Sequence, residues 1–265
     1  MSTETILIAF GLTLVAGLST GIGSMLAFFT KRTNTKFLAT SLGFSAGVMI
    51  YVSFMEMMPQ AKLNLIESFG DRIGTFYLLL AFFGGMGMIT IIDFLIPEDK
   101  NPHEMHNVEE LSKKQTGLKK TGMLVALSIG IHNFPEGIAT FTSALNSMEI
   151  ALPITAAIAI HNIPEGIAVS VPIYQATGNK KKAFWLSFLS GMAEPVGALF
   201  FFFFLLPFWT PAINGFILAA VSGIMVFISI DELLPSAQKY GEHHLSISGL
   251  VGGMVIMALS LFLFI

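Results

Sequence analysis

The chain contains one six-residue pattern twice, and both copies carry side chains that bind metal ions. His132-Asn-Phe-Pro-Glu-Gly137 recurs as His161-Asn-Ile-Pro-Glu-Gly166. In each copy the histidine precedes the glutamate by four positions, so in a helix the two side chains share one face. Imidazole and carboxylate together suit Zn²⁺, Fe²⁺, Mn²⁺ or Cd²⁺, whereas Ca²⁺ and Mg²⁺ prefer shells made of oxygen. The repeated pattern therefore predicts a transition-metal site.

The spacing allows two adjacent metal sites. The first would combine both histidines of the repeat with both of its glutamates. The second would combine the two asparagines with a further glutamate, while the same two glutamates bridge. The candidate ligands are His132, Asn133, Glu136, His161, Asn162, Glu165 and Glu194. These residues leave open whether one or two ions bind at once.

The ionisable ligands stand in a strongly apolar chain. Hydrophobic residues make up 54% of it and charged residues 12%, which is about half the charged fraction of an average soluble domain. An ionisable group inside a bilayer costs about 2.5–3.5 kcal/mol on insertion scales and is usually functional. A divalent cation would neutralise converging acids that have no buried Lys or Arg beside them. A proton relay, or a set of neutral hydrogen-bonded groups, is the alternative.

Membrane-spanning helices are the elements predicted to position these ligands. A span needs roughly 20 mostly apolar residues, and eight stretches meet that need: about 5–29, 37–58, 73–96, 121–145, 150–174, 183–206, 212–235 and 245–265. The fourth and fifth stretches carry the repeated pattern, and only a few residues join them, which predicts a tight antiparallel hairpin. The predicted fold class is an all-α integral membrane protein with eight transmembrane helices in a single domain, 1–265.

Basic residues predict the orientation of the helices. Twelve of the 14 Lys and Arg residues lie in the loops predicted on one side of the membrane. Only Lys62 and Arg72 lie on the other side. Because Lys and Arg mark cytoplasmic loops, both termini are predicted outside and the 97–120 loop between helices 3 and 4 is predicted cytoplasmic. His103 and His106 in that loop fit a weak metal-sensing tether or, more simply, a solvated linker.

A second repetition relates the first three helices to the last three. The matched helices would cross the membrane in opposite directions, which indicates an inverted repeat of helices 1–3 and 6–8 around helices 4 and 5, a plan that recurs among secondary transporters. Glu56 on helix 2, and Asp231 and Glu232 on helix 7, then become candidate pathway ligands at the entrance and exit, or else interfacial acids that reach water. Gly47, Met49, Ser53, Glu56 and Pro59 match Gly223, Met225, Ser229, Glu232 and Pro235.

Several other function classes lack their sequence signals. The chain has no cysteine, which excludes disulfides and thiolate metal sites. Its net charge of -3 does not favour a nucleic-acid partner. The His-Glu-x-x-His and Gly-x-Ser-x-Gly motifs are missing, which disfavours an intramembrane metallohydrolase and any enzyme of those types. A passive metal channel with the same ligands is the other alternative to a carrier. No cofactor is predicted beyond the transported ion.

The doubled motif and the segment Phe54-Met-Glu-Met-Met-Pro-Gln-Ala61 closely resemble the signatures of the ZIP (Zrt-/Irt-like) metal transporters, in particular their bacterial zinc-uptake branch. The resemblance covers essentially the whole chain. It implies eight helices in a 3+2+3 arrangement, a binuclear centre between helices 4 and 5 held by the ligands named above, and inward flux of Zn²⁺ foremost, with Fe²⁺, Mn²⁺, Co²⁺ and Cd²⁺ as further cargo. It also implies a homodimer in a bacterial inner membrane that works by alternating access with an elevator-like motion.

Overall fold

A computed structural model describes residues 2–26, 35–95, 118–239 and 243–263 of the chain. Within these ranges all regular secondary structure is helical. The side chains of 118–129 and of His132, among others, fall outside the description. The predicted 97–120 loop, with His103 and His106, also lies outside the described residues, apart from its last three positions, which begin a helix.

Eleven α-helices follow one another in the described part of the chain, and short π and 3-10 turns join some of them. Ser53–Met57 is a π turn between α2 and α3, and Ser229–Leu233 is a π turn between α9 and α10. Another π turn, Phe201–Leu205, and the 3-10 turn Leu206–Phe208 extend α8. The helices are α1 Thr3–Leu26, α2 Thr35–Val52, α3 Met58–Phe69, α4 Asp71–Leu95, α5 Leu118–Asn146, α6 Met148–Thr177, α7 Lys180–Gly191, α8 Ala193–Phe200, α9 Pro211–Ile228, α10 Leu234–Lys239 and α11 His243–Leu263.

Seven helical stretches among the described residues are long and apolar enough to cross a membrane. The prediction of a helical membrane protein is therefore confirmed. Helix α5 is not among the seven, although its 29 residues would reach roughly 40 Å at 1.5 Å per residue. The stretches are Thr3–Met25, Thr35–Phe69, Asp71–Ile92, Met148–Val171, Lys180–Phe208, Pro211–Gln238 and His243–Leu263.

The second span is longer than hydropathy predicts. Its predicted end at residue 58 was wrong, because helical structure continues through α3 to Phe69. Lys62 and Glu67 lower the hydropathy of this part. They do not end the helix, because its backbone hydrogen bonds do not require apolar side chains. The π turn places Pro59 in the first turn of α3, a position that tolerates a residue without an N–H.

The hairpin predicted between the two motif-bearing helices is confirmed. Ser147 is the single residue between α5 and α6. Its side-chain oxygen accepts a hydrogen bond from the Ile150 N–H at 3.3 Å, which caps the start of α6. The two copies of the motif therefore lie on directly connected antiparallel helices.

The helices pack as two groups. The site bundle consists of α1 and α5 to α8, and the flanking bundle consists of α2 to α4 and α9 to α11. Within each bundle, glycines allow backbones to touch, as small residues do in membrane proteins. A β-carbon on Gly166 would overlap the backbone oxygen of Thr20 in the site bundle, and one on Gly47 would overlap that of Leu250 in the flanking bundle. Each bundle is thus held by direct backbone contact.

The boundary between the bundles is built differently. We call it the seam, and define it by Val48 and Val52 of α2, Ile154 and Ile158 of α6 and Leu218 of α9, all buried in one apolar cluster. None of the described glycines makes a backbone contact across it. The two bundles thus meet mainly through apolar side chains, without a backbone contact at any described glycine.

Candidate metal site

The predicted ligands whose side chains the structure describes are buried in the site bundle. Burial of so many polar groups in an apolar chain is costly unless partners or an ion compensate. Each is at most 4% exposed: Asn133 and Glu136 on α5, His161, Asn162 and Glu165 on α6, and Glu194 in the first turn of α8. His132 belongs to α5, but its side chain lies outside the described part of the structure.

The glycine that ends each motif sets the helix spacing around the site. A β-carbon on Gly137 would overlap the backbone oxygen of Glu194, and one on Gly166 would overlap that of Thr20. Both glycines therefore permit close approach of a neighbouring helix. Their contacts place α8 against α5 and α1 against α6, which brings Glu194 beside the motifs.

His161 is oriented by two contacts, one at each ring nitrogen. Its Nδ1 lies 3.0 Å from the carbonyl oxygen of Ala157, which can only accept, so Nδ1 carries the hydrogen. Its Nε2 lies 3.3 Å from Glu136 Oε2. Histidines that bind metal usually donate their other N–H in this way. With Nδ1–H committed, Nε2 and the Glu136 carboxylate face each other, and a proton or a cation must join them.

Asn162 connects α6 to two neighbouring helices. Its Nδ2 donates to the Ala16 carbonyl oxygen at 3.0 Å and to Glu194 Oε1 in a short contact. Both hydrogens of the amide are then used. This fixes the orientation of the side chain and leaves its oxygen free to act as a ligand.

Three buried oxygens at this place have no hydrogen-bond donor among the described residues: Glu136 Oε1, Asn162 Oδ1 and Glu194 Oε2. They come from α5, α6 and α8, and all are acceptors. Glu136 and Glu165 also lie within electrostatic range of Glu194. Buried acceptors without donors call for an explanation, and a divalent cation would supply one for all three. The donor set fits such an ion.

The predicted ligands are paired rather than gathered into one closed shell. Among the described residues, which exclude the His132 side chain, no three His, Asp or Glu side chains form a ready-made metal cluster. His161 pairs with Glu136, and Asn162 pairs with Glu194. Asn133 Nδ2 donates to the Ser190 carbonyl oxygen at 3.5 Å, which turns part of its amide toward α7. The complete ligand set stays a prediction.

The three predicted pathway acids lie in the two π turns that join helices of the flanking bundle. Glu56 is partly buried in Ser53–Met57, while in Ser229–Leu233 Asp231 is exposed and Glu232 is partly buried. The two turns match in detail, because Ser53 Oγ donates to Met49 O at 2.7 Å and Ser229 Oγ donates to Met225 O at 2.7 Å. The local structure thus repeats where the sequence does.

Sequence reasoning missed the residues that hold the ligands in place. Ser45 Oγ, on α2, donates to the His161 carbonyl oxygen at 3.3 Å across the seam. The carbonyls of Ala16, Ala157 and Ser190 each receive a hydrogen bond from a predicted ligand. Backbone carbonyls leave no trace in residue types, so only the helix crossings reveal them.

Comparison with known proteins identifies the family of this chain. The family described as ZIP Zinc transporter matches residues 96–261. A Streptococcus mutans protein named zinc transporter ZupT is 60% identical over 257 residues, which cover 97% of this chain and 97% of that protein. Proteins of the same name from Lysinibacillus sphaericus and Clostridium perfringens are 60% and 56% identical, over 98% and 99% of this chain and 98% of each relative.

The match over more than half of the chain and the near-complete coverage of these relatives agree with the helical membrane fold. This chain belongs to the ZIP family of zinc transporters.

Proposed function

We propose that the chain imports divalent transition-metal ions by alternating access, Zn²⁺ foremost and Fe²⁺, Mn²⁺, Co²⁺ and Cd²⁺ as further cargo. The observation that carries the proposal is the set of buried acceptor oxygens without donors on Glu136, Asn162 and Glu194. In a membrane protein of this family a positive ion is the partner that such oxygens lack. Imidazole and carboxylate ligands favour transition metals over Ca²⁺ and Mg²⁺.

The residues take distinct roles in the proposed site. His161 Nε2 and Glu136 would bind one ion together with His132 and Glu165. Asn133, Asn162 and Glu194 would complete a second position, which Glu136 and Glu165 bridge. Ala157 orients His161 through Nδ1–H, and Ala16 orients Asn162 through Nδ2. These two carbonyls hold the ligand atoms in place before the metal arrives, which lowers the cost of binding.

Protons can take the place of the metal in this site. His161 Nε2 lies 3.3 Å from Glu136 Oε2. Either a proton or a cation between the two atoms would stabilise this contact. Metal binding would then release protons, as it does wherever ligands must be deprotonated. The proposed transport is therefore sensitive to a pH gradient.

The two bundles suggest how access alternates. Backbone contacts at glycines bind each bundle internally, whereas the seam consists of apolar side chains. Displacement of the site bundle along the flanking bundle would carry the ligands from one side of the membrane toward the other. The ion would enter past Glu56, dock at the central carboxylates and leave past Asp231 and Glu232.

The proposed arrangement has eight spans, with α5 as the fourth, in a 3+2+3 order with helices 1–3 and 6–8 as inverted repeats. The protein would lie in a bacterial inner membrane, as a homodimer, with both termini outside and the 97–120 loop in the cytoplasm. Because the sequence has no cysteine, single cysteines placed in each loop can report the orientation by labelling with a membrane-impermeant thiol reagent, and cross-linking of the purified protein can report the dimer.

Metal uptake into proteoliposomes tests the function. Zn²⁺, Fe²⁺, Mn²⁺ and Cd²⁺ should each be taken up with saturation, with and without a pH gradient. Glu165→Ala should abolish zinc uptake, whereas Glu149→Ala, which changes an exposed glutamate at the start of the same helix, should retain it. Intact uptake in Glu165→Ala would contradict the site assignment.

The same preparation separates the carrier from its alternatives. A carrier saturates at rates far below diffusion, whereas single-channel currents would identify a passive channel. The proposal includes no enzymatic activity, and peptidase activity of the purified protein would contradict it.

A further inference from the structure

Three consecutive lysines form the first turn of α7, and the proposed transport uses none of them. Lys180 and Lys181 are exposed and Lys182 is partly exposed. The turn contains no acidic residue, and none of the described carboxylates forms an ion pair with Lys181 or Lys182. We call this group, Lys180, Lys181 and Lys182, the lysine turn.

The lysine turn is electrostatically unfavourable for the helix that carries it. The start of a helix has a partial positive charge, which stabilises anions and destabilises cations. Asn179 Oδ1 accepts a hydrogen bond from the Lys182 N–H at 3.0 Å, which caps the helix start without adding a negative charge. The charges of Lys181 and Lys182, together with that of the helix start, therefore favour an anion at this place.

One face of α7 continues from the lysine turn as an exposed apolar surface. Lys181, Trp185 and Leu189 follow one another at intervals of four residues, so they lie along one face of the helix. Trp185 is 47% exposed and Leu189 is 57% exposed. On the opposite face Ser187 is buried, and its Oγ donates to the Gly166 carbonyl oxygen of α6 at 3.1 Å. The exposed face therefore points away from the site bundle.

The order of residues along this face matches the order of groups in a phospholipid. The lysine turn begins the candidate membrane span Lys180–Phe208, at the level where headgroup phosphates lie. Trp185 lies about one turn further in, and tryptophan is enriched at the boundary between headgroups and acyl chains. Leu189 lies another turn further, at the level of the acyl chains. A soluble anion would use the charges alone, whereas an anionic lipid would use both the charges and the apolar face.

We propose that the lysine turn, Trp185 and Leu189 form a binding site for an anionic phospholipid. Its phosphate contacts the lysines, and an acyl chain lies along Trp185 and Leu189. Basic residues beside a membrane span attract anionic headgroups in this way. Because α7 belongs to the site bundle, the lipid is bound by the same helices that hold the predicted metal ligands. The inference goes beyond the proposed transport and does not rest on it, since lipid binding can be measured without zinc.

Lipid retention tests the proposal, measured by native mass spectrometry of the purified full chain in detergent. Phosphatidylglycerol and phosphatidylcholine with the same acyl chains are added at equal concentration, and the wild type should retain phosphatidylglycerol in preference. Lys181→Gln should lower the ratio of retained phosphatidylglycerol to phosphatidylcholine about fivefold, the effect of one basic residue near an anionic surface. Lys181→Arg should keep the ratio, and replacement of all three lysines by glutamine should abolish the preference.

Lys36→Gln is the matched control, because Lys36 is also an exposed lysine in the first turn of a helix but belongs to the flanking bundle. It should leave the ratio close to that of the wild type. An equal fall in Lys36→Gln and Lys181→Gln would show a diffuse attraction to any exposed lysine and would overturn the site. A wild-type ratio in the triple variant would overturn it as well.

The apolar part of the site has a test of its own. Trp185→Ala should lower the retention of both lipids by a similar factor, because the two lipids carry the same acyl chains. Unchanged retention of both lipids in this variant would contradict the placement of the acyl chain along α7.

Thermal unfolding in detergent distinguishes the lipid from other sources of negative charge. Phosphatidylglycerol should raise the melting temperature of the wild type more than that of the triple variant, whereas inorganic phosphate at the same concentration should not. Equal protection by inorganic phosphate would show that the lysines bind any soluble anion. A melting temperature that the triple substitution changes equally in both lipids would show that the lysines serve contacts within the protein. Either result would overturn the lipid site.

Discussion

The site bundle and the flanking bundle are built from similar apolar helices, yet they differ in what they bury. Every acidic side chain that is buried among the described residues lies in the site bundle, namely Glu136, Glu165 and Glu194, and His161 lies with them. The buried polar side chains of the flanking bundle are serines and two asparagines. The bundle that holds the predicted ligands thus carries the electrostatic cost, while the buried polar side chains of the other bundle are uncharged.

Under the proposed alternating access, this division favours motion between the bundles rather than within them. A displacement inside the site bundle would separate ligand atoms that hydrogen bonds hold in place, such as Asn162 and Ala16. A displacement along the seam mainly exchanges one set of apolar contacts for another. The comparison can be tested by changes placed in one bundle, in the other and at their boundary.

The largest expected effect comes from replacing a glycine at a backbone contact. Gly166→Val in the site bundle and Gly223→Val in the flanking bundle each introduce a β-carbon where a backbone oxygen lies, and each should lower the free energy of unfolding by about 3 kcal/mol. Thermal unfolding in detergent measures the loss. If the bundles are independent, the folded fraction of Gly223→Val still binds zinc, while that of Gly166→Val does not. Gly84→Ala, at an open surface position, is the control.

Removal of one buried acid should affect transport rather than folding. Glu136→Gln keeps the shape of the side chain but loses the charge that faces His161 Nε2, so kcat/KM for zinc uptake should fall at least about 100-fold. The measurement is initial uptake into proteoliposomes at several zinc concentrations. Glu67→Gln, at an exposed glutamate of the flanking bundle, should leave uptake unchanged. A similar fall in Glu67→Gln would remove the contrast between the bundles.

A moderate effect is expected at the seam. Ser45→Ala removes the hydrogen bond from α2 to the His161 carbonyl oxygen. This loss should lower the free energy of unfolding by about 1 kcal/mol. Because Ser45 does not touch a ligand side chain through this bond, the equilibrium affinity for zinc should not change. Calorimetry of zinc binding and thermal unfolding test both statements, with Ser41→Ala one turn earlier as the comparison. A marked loss of zinc affinity in Ser45→Ala would tie the flanking bundle directly to the site.

The smallest effect is expected at the paired π turns. Ser53→Ala and Ser229→Ala each remove a hydrogen bond from a side chain to a carbonyl of its own helix. Each variant should lower the free energy of unfolding by about 0.5 kcal/mol, which is at the low end for the loss of a hydrogen bond. Equal losses in thermal stability would support the inverted repeat. A clearly larger loss in one of the two variants would show that the turns are alike in geometry but not in role.

Hydropathy predicted most of the fold, because membrane spans are long and apolar. The bounds of α1 and α4 differ from the prediction by only a few residues. The continuation of α2 into α3 was missed because Lys62 and Glu67 lower the hydropathy without ending the helix. A break at Met192 separates α7 from α8. Its physical cause is Pro195, which cannot donate to the carbonyl of Gly191.

The site was predictable in its residue types and not in its pairings. The repeated motif identified candidate ligands, and those whose side chains are described lie buried on α5 and α6. The contact of Asn162 with Glu194 depends on where α8 packs on α5, and that packing is set by Gly137 and Gly197, which lie far apart in the chain. The carboxamide of Asn214, which has no hydrogen-bond partner among the described residues, could not be foreseen, since an asparagine near a helix start usually suggests a cap.

The π turn Ser53–Met57 has a consequence for how this protein can vary. Such a turn contains one residue more than an α-helical turn, and each residue rotates a helix by about 100°. The direction in which each later side chain of the helix points, including those of Gln60 and Asn64, therefore depends on how many residues the turn contains. It depends less on which residues they are. Substitutions there, apart from those of the proposed pathway ligand Glu56, should be mild, whereas loss of a single codon would turn the face of α3 that carries Asn64 away from α9.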